Sequence, residues 1–388
     1  LYANARMVIR PWALYDTKTR KPLGDTLEIR SLIEQILAGA EHHPGALHLY
    51  IHVVEPSTNP RAALSVAKRL DNLVPASGHL RHMPTHIYIQ AGLWDRAVVQ
   101  NAEAMGANAA YRARAPGRIG QYGYQIHDTH MLVFAATMSA RRNEALANAR
   151  AMWTLWESIP DDTPKEQLEG VASYIDTVMC AVYDVHKRFG DWQAILDEPE
   201  PARAELLPST CALRHAARAV AYANLKEMEK AREELNIFKG EMDALPKGQM
   251  YGADRARDVL EVSLHFIEGE IALNEERWGE AAEHLTKAIV IEDKLRYTDP
   301  PQYLQPPRHA LGAVYPKDGT PGEAARVYRR DLQEWPNNVW SLQGRREALE
   351  RLGKDINQIE KQVRRAMEFA DFPVDTSCLC LRDLAGAP

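Results

Sequence analysis

The sequence predicts an all-helical protein assembled from helix hairpins, and three observations carry that expectation. Apolar residues recur at three- and four-residue spacing through nearly every segment, the period of an amphipathic helix. Alternating apolar and polar runs bounded by turn signals, which mark strands, are scarce. Small residues also recur at a fixed interval, since Gly269 stands twelve residues before Ala281 and Gly312 twelve before Ala324. That is the signature of two helices packed closely where side chains are small.

Along the chain, Ala63 in NPRAALSVAKRL and Ala97 in LWDRAVVQNAEAM read as alanines of second helices, thirty-four residues apart. Ala145 in NEALANARAM and Ala194 in DWQAIL continue the series, with loops such as YRARAPGRIGQYG and PDDTPKEQ stretching the spacing. Ala219, Tyr222 and Ala231 mark a further hairpin, followed by those at Gly269 and Gly312. Gly344, with Trp340 four residues ahead of it, opens a more degenerate unit.

These features resemble tetratricopeptide repeats (TPRs), which place small residues at set points in both helices, an aromatic or apolar residue three after the first, and a proline after the second. Gly312, Tyr315, Ala324, Tyr328 and Pro336 fit that pattern. The resemblance implies one continuous right-handed superhelical solenoid over residues 1–388, with His-rich repeats at 25–155, further repeats at 156–370 and a tail at 371–388. HPGALHLYIHVVE and GHLRHMPTHIYIQAGLWDRA also look like phrases from a poorly characterised bacterial family of TPR-type proteins, a likeness that implies fold and site but no reaction.

Composition removes several function classes. The 388-residue chain carries a net charge of −6, without the basic excess that recruits nucleic acid or an anionic membrane. No apolar run approaches the roughly eighteen residues needed to span a bilayer, so no membrane insertion is expected. No phosphate loop, dinucleotide fingerprint or serine-nucleophile motif is present. The opening LYANARMVIRPW reads like the end of a helix with residues missing upstream, which leaves cytoplasm and periplasm both open. Cys378 and Cys380 are expected to pack or face solvent, with soft-metal ligation as the alternative.

Nine of the fourteen histidines fall within residues 42–130, less than a quarter of the chain. Their phase is informative. His48, His82 and His130 each stand fifteen residues before a second-helix alanine, His79 and His127 eighteen before, and His52 and His86 eleven before. Glu55 lies eight before Ala63. Equivalent positions of stacked repeats lie side by side, so these side chains should form one patch, and the TPR resemblance implies that it lines the concave groove. Packed imidazoles without a shared ligand would repel when protonated and lack partners when neutral. The expected metal set is therefore His48, His52, Glu55, His79, His82, His86, His127 and His130, holding one or two ions.

A nitrogen-rich set suits copper first, with zinc or iron as alternatives, and is wrong for magnesium or calcium. His43 is a candidate outer partner, whereas His186, His215, His265, His284 and His309 read as isolated surface or satisfied interior side chains. Arg112, Arg114 and Arg118, placed in the long loop, are candidates for drawing an anionic substrate. The function expected is a metalloenzyme that activates oxygen or water on a small molecule or peptide, a possible copper-dependent oxidoreductase. The alternatives are a metal carrier and a scaffold binding a peptide or protein partner.

Overall fold

The computed structural model describes residues 1–11, 13–301 and 304–381, and these are overwhelmingly helical. The N-terminal part contains α1 (Tyr2–Ile9), α2 (Thr26–Gly39), α3 (Pro44–Val54), α4 (Leu64–Leu70), α5 (Gly78–His82) and α6 (Pro84–Gln90). The long α7 (Trp94–Arg114) and α8 (Gly120–Met138) follow, then α9 (Arg142–Glu157), α10 (Lys165–Ile175), α11 (Ala181–Phe189) and α12 (Trp192–Asp197). Four hairpins complete the array: α13 (Pro208–Asn224) with α14 (Met228–Ala244), α15 (Ala256–Asn274) with α16 (Trp278–Glu292), α17 (Pro307–Val314) with α18 (Pro321–Glu334), and α19 (Val339–Arg351) with α20 (Asn357–Ala366). A two-residue antiparallel pair, Met250–Tyr251 with Asp254–Arg255, interrupts the helices.

One hydrogen bond recurs at the hairpin turns and fixes the phase of the repeats. The amide of Leu93 donates to the carbonyl of Tyr88, Arg141 to Ala136, Glu227 to Tyr222, Arg277 to Ala272 and Thr320 to Tyr315, all at 2.8–2.9 Å. Each closes a helix C-terminus across six residues, as a Schellman turn does. Four residues after each donor stands Ala97, Ala145, Ala231, Ala281 or Ala324, and all five are fully buried. The sequence phase holds at these positions but slips at Ala194. There the donor is Asp191 to His186, so the equivalent residue is buried Ile195, while Ala194 is half-buried.

Small residues make the predicted close contacts. A methyl group on Gly312 or on Gly344 would stand 2.3 Å from the Tyr328 ring, which lies between the two glycines. Gly344→Ala must therefore displace a buried ring, and we expect a loss of about 1–3 kcal/mol, read as a lower urea midpoint. An unchanged midpoint would mean that Tyr328 moves aside freely.

Contacts far apart in the chain join the last repeats to the His-rich ones, which the sequence did not foresee. The Trp94 indole donates to the carbonyl of Pro336 at 2.9 Å, Asn337 to that of Gly92 at 3.2 Å, and the Trp340 indole to that of Thr137 at 2.8 Å. Trp94, Phe134 and Trp335 stack edge to face across the seam, with ring centroids 5.2–5.8 Å apart. Aromatic burial ties the last repeats to the third. The tail also turns inward: Arg188 donates to the Ser377 carbonyl at 2.9 Å and Ser377 to that of His309 at 3.0 Å. Cys378 and Cys380 are joined in a disulfide and buried, so they are not a free soft-metal pair. The tail residues 382–388 lie outside the described residues.

Candidate metal centre

Four helices and one loop build the centre. α3 starts at Pro44, whose missing amide hydrogen costs nothing at a helix N-terminus, and His43 caps it by accepting from the amide of Ala46 at 3.2 Å. His43 is thus a cap, not an outer partner of the cluster. One turn apart on α3, His48 and His52 bring their rings to 4.8 Å, and Glu55 follows at the helix end. Ser77 caps α5, which carries His79 and His82. Pro84 then removes a helical donor, and the chain passes through helical Met83 into α6, which carries His86. α8 contributes His127.

Six imidazoles form a continuous chain of ring contacts. His48 meets His79 at 5.1 Å, His52 meets His86 at 5.3 Å, His79 meets His82 at 5.8 Å, and His82 meets both His86 and His127 at 4.8–4.9 Å. They divide into two triads, His48 with His52 and His79, and His82 with His86 and His127, each offering ligand atoms within 4.8 Å of one another. The second triad is the deeper, since His82 and His86 are fully buried. His130 stands apart. It is buried on α8 near enough to His127 to feel its charge, but among the described residues no hydrogen bond or ring contact ties it to the other histidines.

Carboxylates interleave with the rings. Glu55 lies 3.0 Å from His52 Nδ1 through one oxygen and 2.8 Å from His86 Nδ1 through the other. Asp299, from the loop after α16, approaches His86 Nδ1 to 3.5 Å. Asp128 stands 3.7 Å from His82 Nδ1 and 3.8 Å from His79 Nδ1, and its other oxygen accepts from Asn108 at 2.8 Å. Asp128 Oδ1, Asp299 Oδ1 and His48 Nε2 are buried without a hydrogen bond.

The contact between His82 and His86 is the most informative. Asn101 Oδ1 accepts from His82 Nδ1 at 2.8 Å, while the Glu55 and Asp299 carboxylates face His86 Nδ1. The Asn101 oxygen bonded to His82 Nδ1 and the Glu55 carboxylate 2.8 Å from His86 Nδ1, close but not aligned as a hydrogen bond, favour a hydrogen on each Nδ1 and leave the two Nε2 lone pairs free. Yet those two Nε2 atoms face each other at 3.0 Å. Something positive must lie between them, either a proton or a metal ion. Without an ion the proton resides on His86: burial lowers its pKa, but Glu55 and Asp299 outweigh that and hold it up at about 10. Burial pushes His82 down to about 3. Burial would raise Glu55 and Asp128, but the surrounding imidazoles hold each at about 2. Burial followed by neighbouring imidazoles lowers His48 and His130 to about 3 and His127 well below its ordinary value.

Other expected residues fall elsewhere. Arg112 and Arg114 lie in the last turn of α7 and not in a loop; Arg112 donates to Gln125, while Arg114 and Arg118 are exposed. His186, His215 and His309 pair with Asp191, Glu234 and Asp331. His265 and His284 are not isolated, because both face Glu268. Asp128, Asp299 and Asn101 are the polar partners that sequence reasoning missed. Asp128 adjoins His127 and could have been found; Asp299 reaches the site only through tertiary packing. Beside Asp299, Tyr297 donates to its carboxylate at 3.0 Å and also lines a cavity of about 520 Å³ with Tyr15, Arg20, Arg308 and Trp335.

No known family pattern matches the chain, and no curated protein does. Among solved structures it is similar to the TPR domain of P58(IPK), at 16% identity over 88% of this chain and 93% of that one, with a TM-score of 0.25. It is also similar to the apo form of RapI (11%, 95% and 97%, TM-score 0.36) and to yeast Tom70 (9%, 89% and 89%, TM-score 0.30). Likeness at this level carries nothing about ligands. The TPR-like all-α architecture rests on the hairpins themselves.

Proposed function

We propose that this chain binds one or two transition-metal ions between α3, α5, α6 and α8, one in each histidine triad. The 3.0 Å separation of the His82 and His86 Nε2 atoms carries the reading. Two nitrogens bound to one ion at about 2.0–2.1 Å stand roughly 2.8–3.4 Å apart between square and tetrahedral angles. Glu55, Asp128 and Asn101 then act as outer partners that fix the ring tautomers, or as further ligands. His130 and the three arginines are not part of this ligand set.

Copper(II) ranks first because imidazole-rich sites favour it over other first-row divalent ions; zinc and iron follow. Bound copper would supply oxygen or electron-transfer chemistry, and bound zinc an activated water. The 520 Å³ cavity, which shares Tyr297 with the Asp299 side of the centre, offers space for a small substrate. Loading the protein with copper and recording electron paramagnetic resonance tests identity. A signal with several nitrogen couplings, or a silent copper-rich pair, is the expected result. Zinc uptake that copper cannot displace would reassign the metal.

A second reading, a groove for a peptide or protein, is favoured by the helix-hairpin architecture. The surface of α15, α17 and α19 already receives an extended segment, because Cys378 lies against Glu270, Ser377 against His309, and Gln343 donates to the Asp375 carbonyl. A foreign peptide would have to displace that tail.

A further inference from the structure

The hairpin α15–α16 holds a second ligand set far along the chain from the histidine triads. Gly269 on α15 allows the two helices to approach, since a methyl group there would stand 2.9 Å from Leu285. His265 precedes Gly269 by four residues, and His284 adjoins Leu285, so the close approach brings the two rings to 5.7 Å. Glu268 sits between them, with the same oxygen, Oε2, 3.3 Å from His265 Nδ1 and 3.1 Å from His284 Nδ1. Both Nδ1 atoms are shielded from solvent and lack a hydrogen bond. The other oxygen of Glu268 accepts from Lys239 at 2.9 Å, which fixes the carboxylate without covering Oε2.

The geometry points to a zinc(II) site formed by His265, Glu268 and His284, separate from the histidine cluster. The Glu–His separations already match those of ligands sharing one ion at about 2.0–2.1 Å. Two imidazoles and one carboxylate are a borderline donor set that suits zinc and disfavours calcium and magnesium. The three side chains remain about one-fifth exposed, so water completes a four-coordinate shell. Zinc here staples α15 to α16, and it needs no substrate to be retained.

Zinc titration of metal-stripped protein carrying His82→Ala and His86→Ala isolates this site from the deeper triad. One equivalent of zinc should be lost on adding His284→Ala and weakened at least tenfold by Glu268→Gln, with circular dichroism unchanged. Cobalt(II) in place of zinc should give the intense visible bands of a four-coordinate ion, reduced by one equivalent's intensity in the His284→Ala protein. Should the background fail to fold, the same comparison applies to the otherwise natural chain, where His284→Ala should lower total zinc by one equivalent. Folded protein whose zinc stoichiometry and cobalt spectrum ignore both substitutions would overturn the assignment.

Discussion

His82→Ala should abolish copper retention by the deeper triad while leaving the helices intact. His82 supplies the nitrogen facing His86 and contacts His79, His86 and His127. Removing it takes away the ring that contacts His86 and His127 of its own triad and His79 of the other, so occupancy should fall at least tenfold after gel filtration. His42→Ala is the matched control: His42 is exposed just before α3 and, among the described residues, pairs only with Glu41. Equal copper in two folded variants would refute the role of the patch. Stability should change less than retention, because a buried imidazole facing like neighbours contributes little without its ion.

Trp340→Ala should be the most damaging substitution to the fold. The Trp340 indole is fully buried, donates to Thr137, packs on Phe189 at 5.7 Å and lies beneath the guanidinium of Arg188, 3.4 Å from its centroid. Truncating a buried tryptophan costs about 3–5 kcal/mol. Here the loss also leaves buried Arg188 without its aromatic face, and no carboxylate ion pair replaces it among the described residues. Urea unfolding should therefore shift by at least that amount. A shift below about 1 kcal/mol, smaller than ordinary cavity costs, would mean that the contact between the last repeats and α8 contributes little.

Local features were legible in the sequence because they follow from spacing. The alanines at 63, 97, 145, 231, 281 and 324 all proved fully buried, and counting back from three of them located six imidazoles that do converge. Phase alone could not place His130, which shares the fifteen-residue offset of His48 and His82 but lies on a long uninterrupted helix. Pro84 interrupts the helix carrying His82 and His86, and no equivalent break occurs in α8. The joining of the last repeats to the His-rich ones was not legible, because Trp94 and Pro336 meet across 242 residues. For the same reason Asp299, held by a loop from another repeat, escaped notice. The trio at Glu268 was missed because each histidine was judged on its own helix, although both flank the close-contact residues Gly269 and Leu285.

Anomalous diffraction from copper-soaked crystals, recorded on both sides of the copper edge, tests the metal site most directly. The predicted result is a peak about 2 Å from the Nε2 atoms of His82 and His86 and within reach of His127, with a second near His48, His52 and His79 if two ions bind. Copper-saturated crystals with no peak in either triad, and with the His82–His86 contact still at its hydrogen-bonding distance, would contradict it.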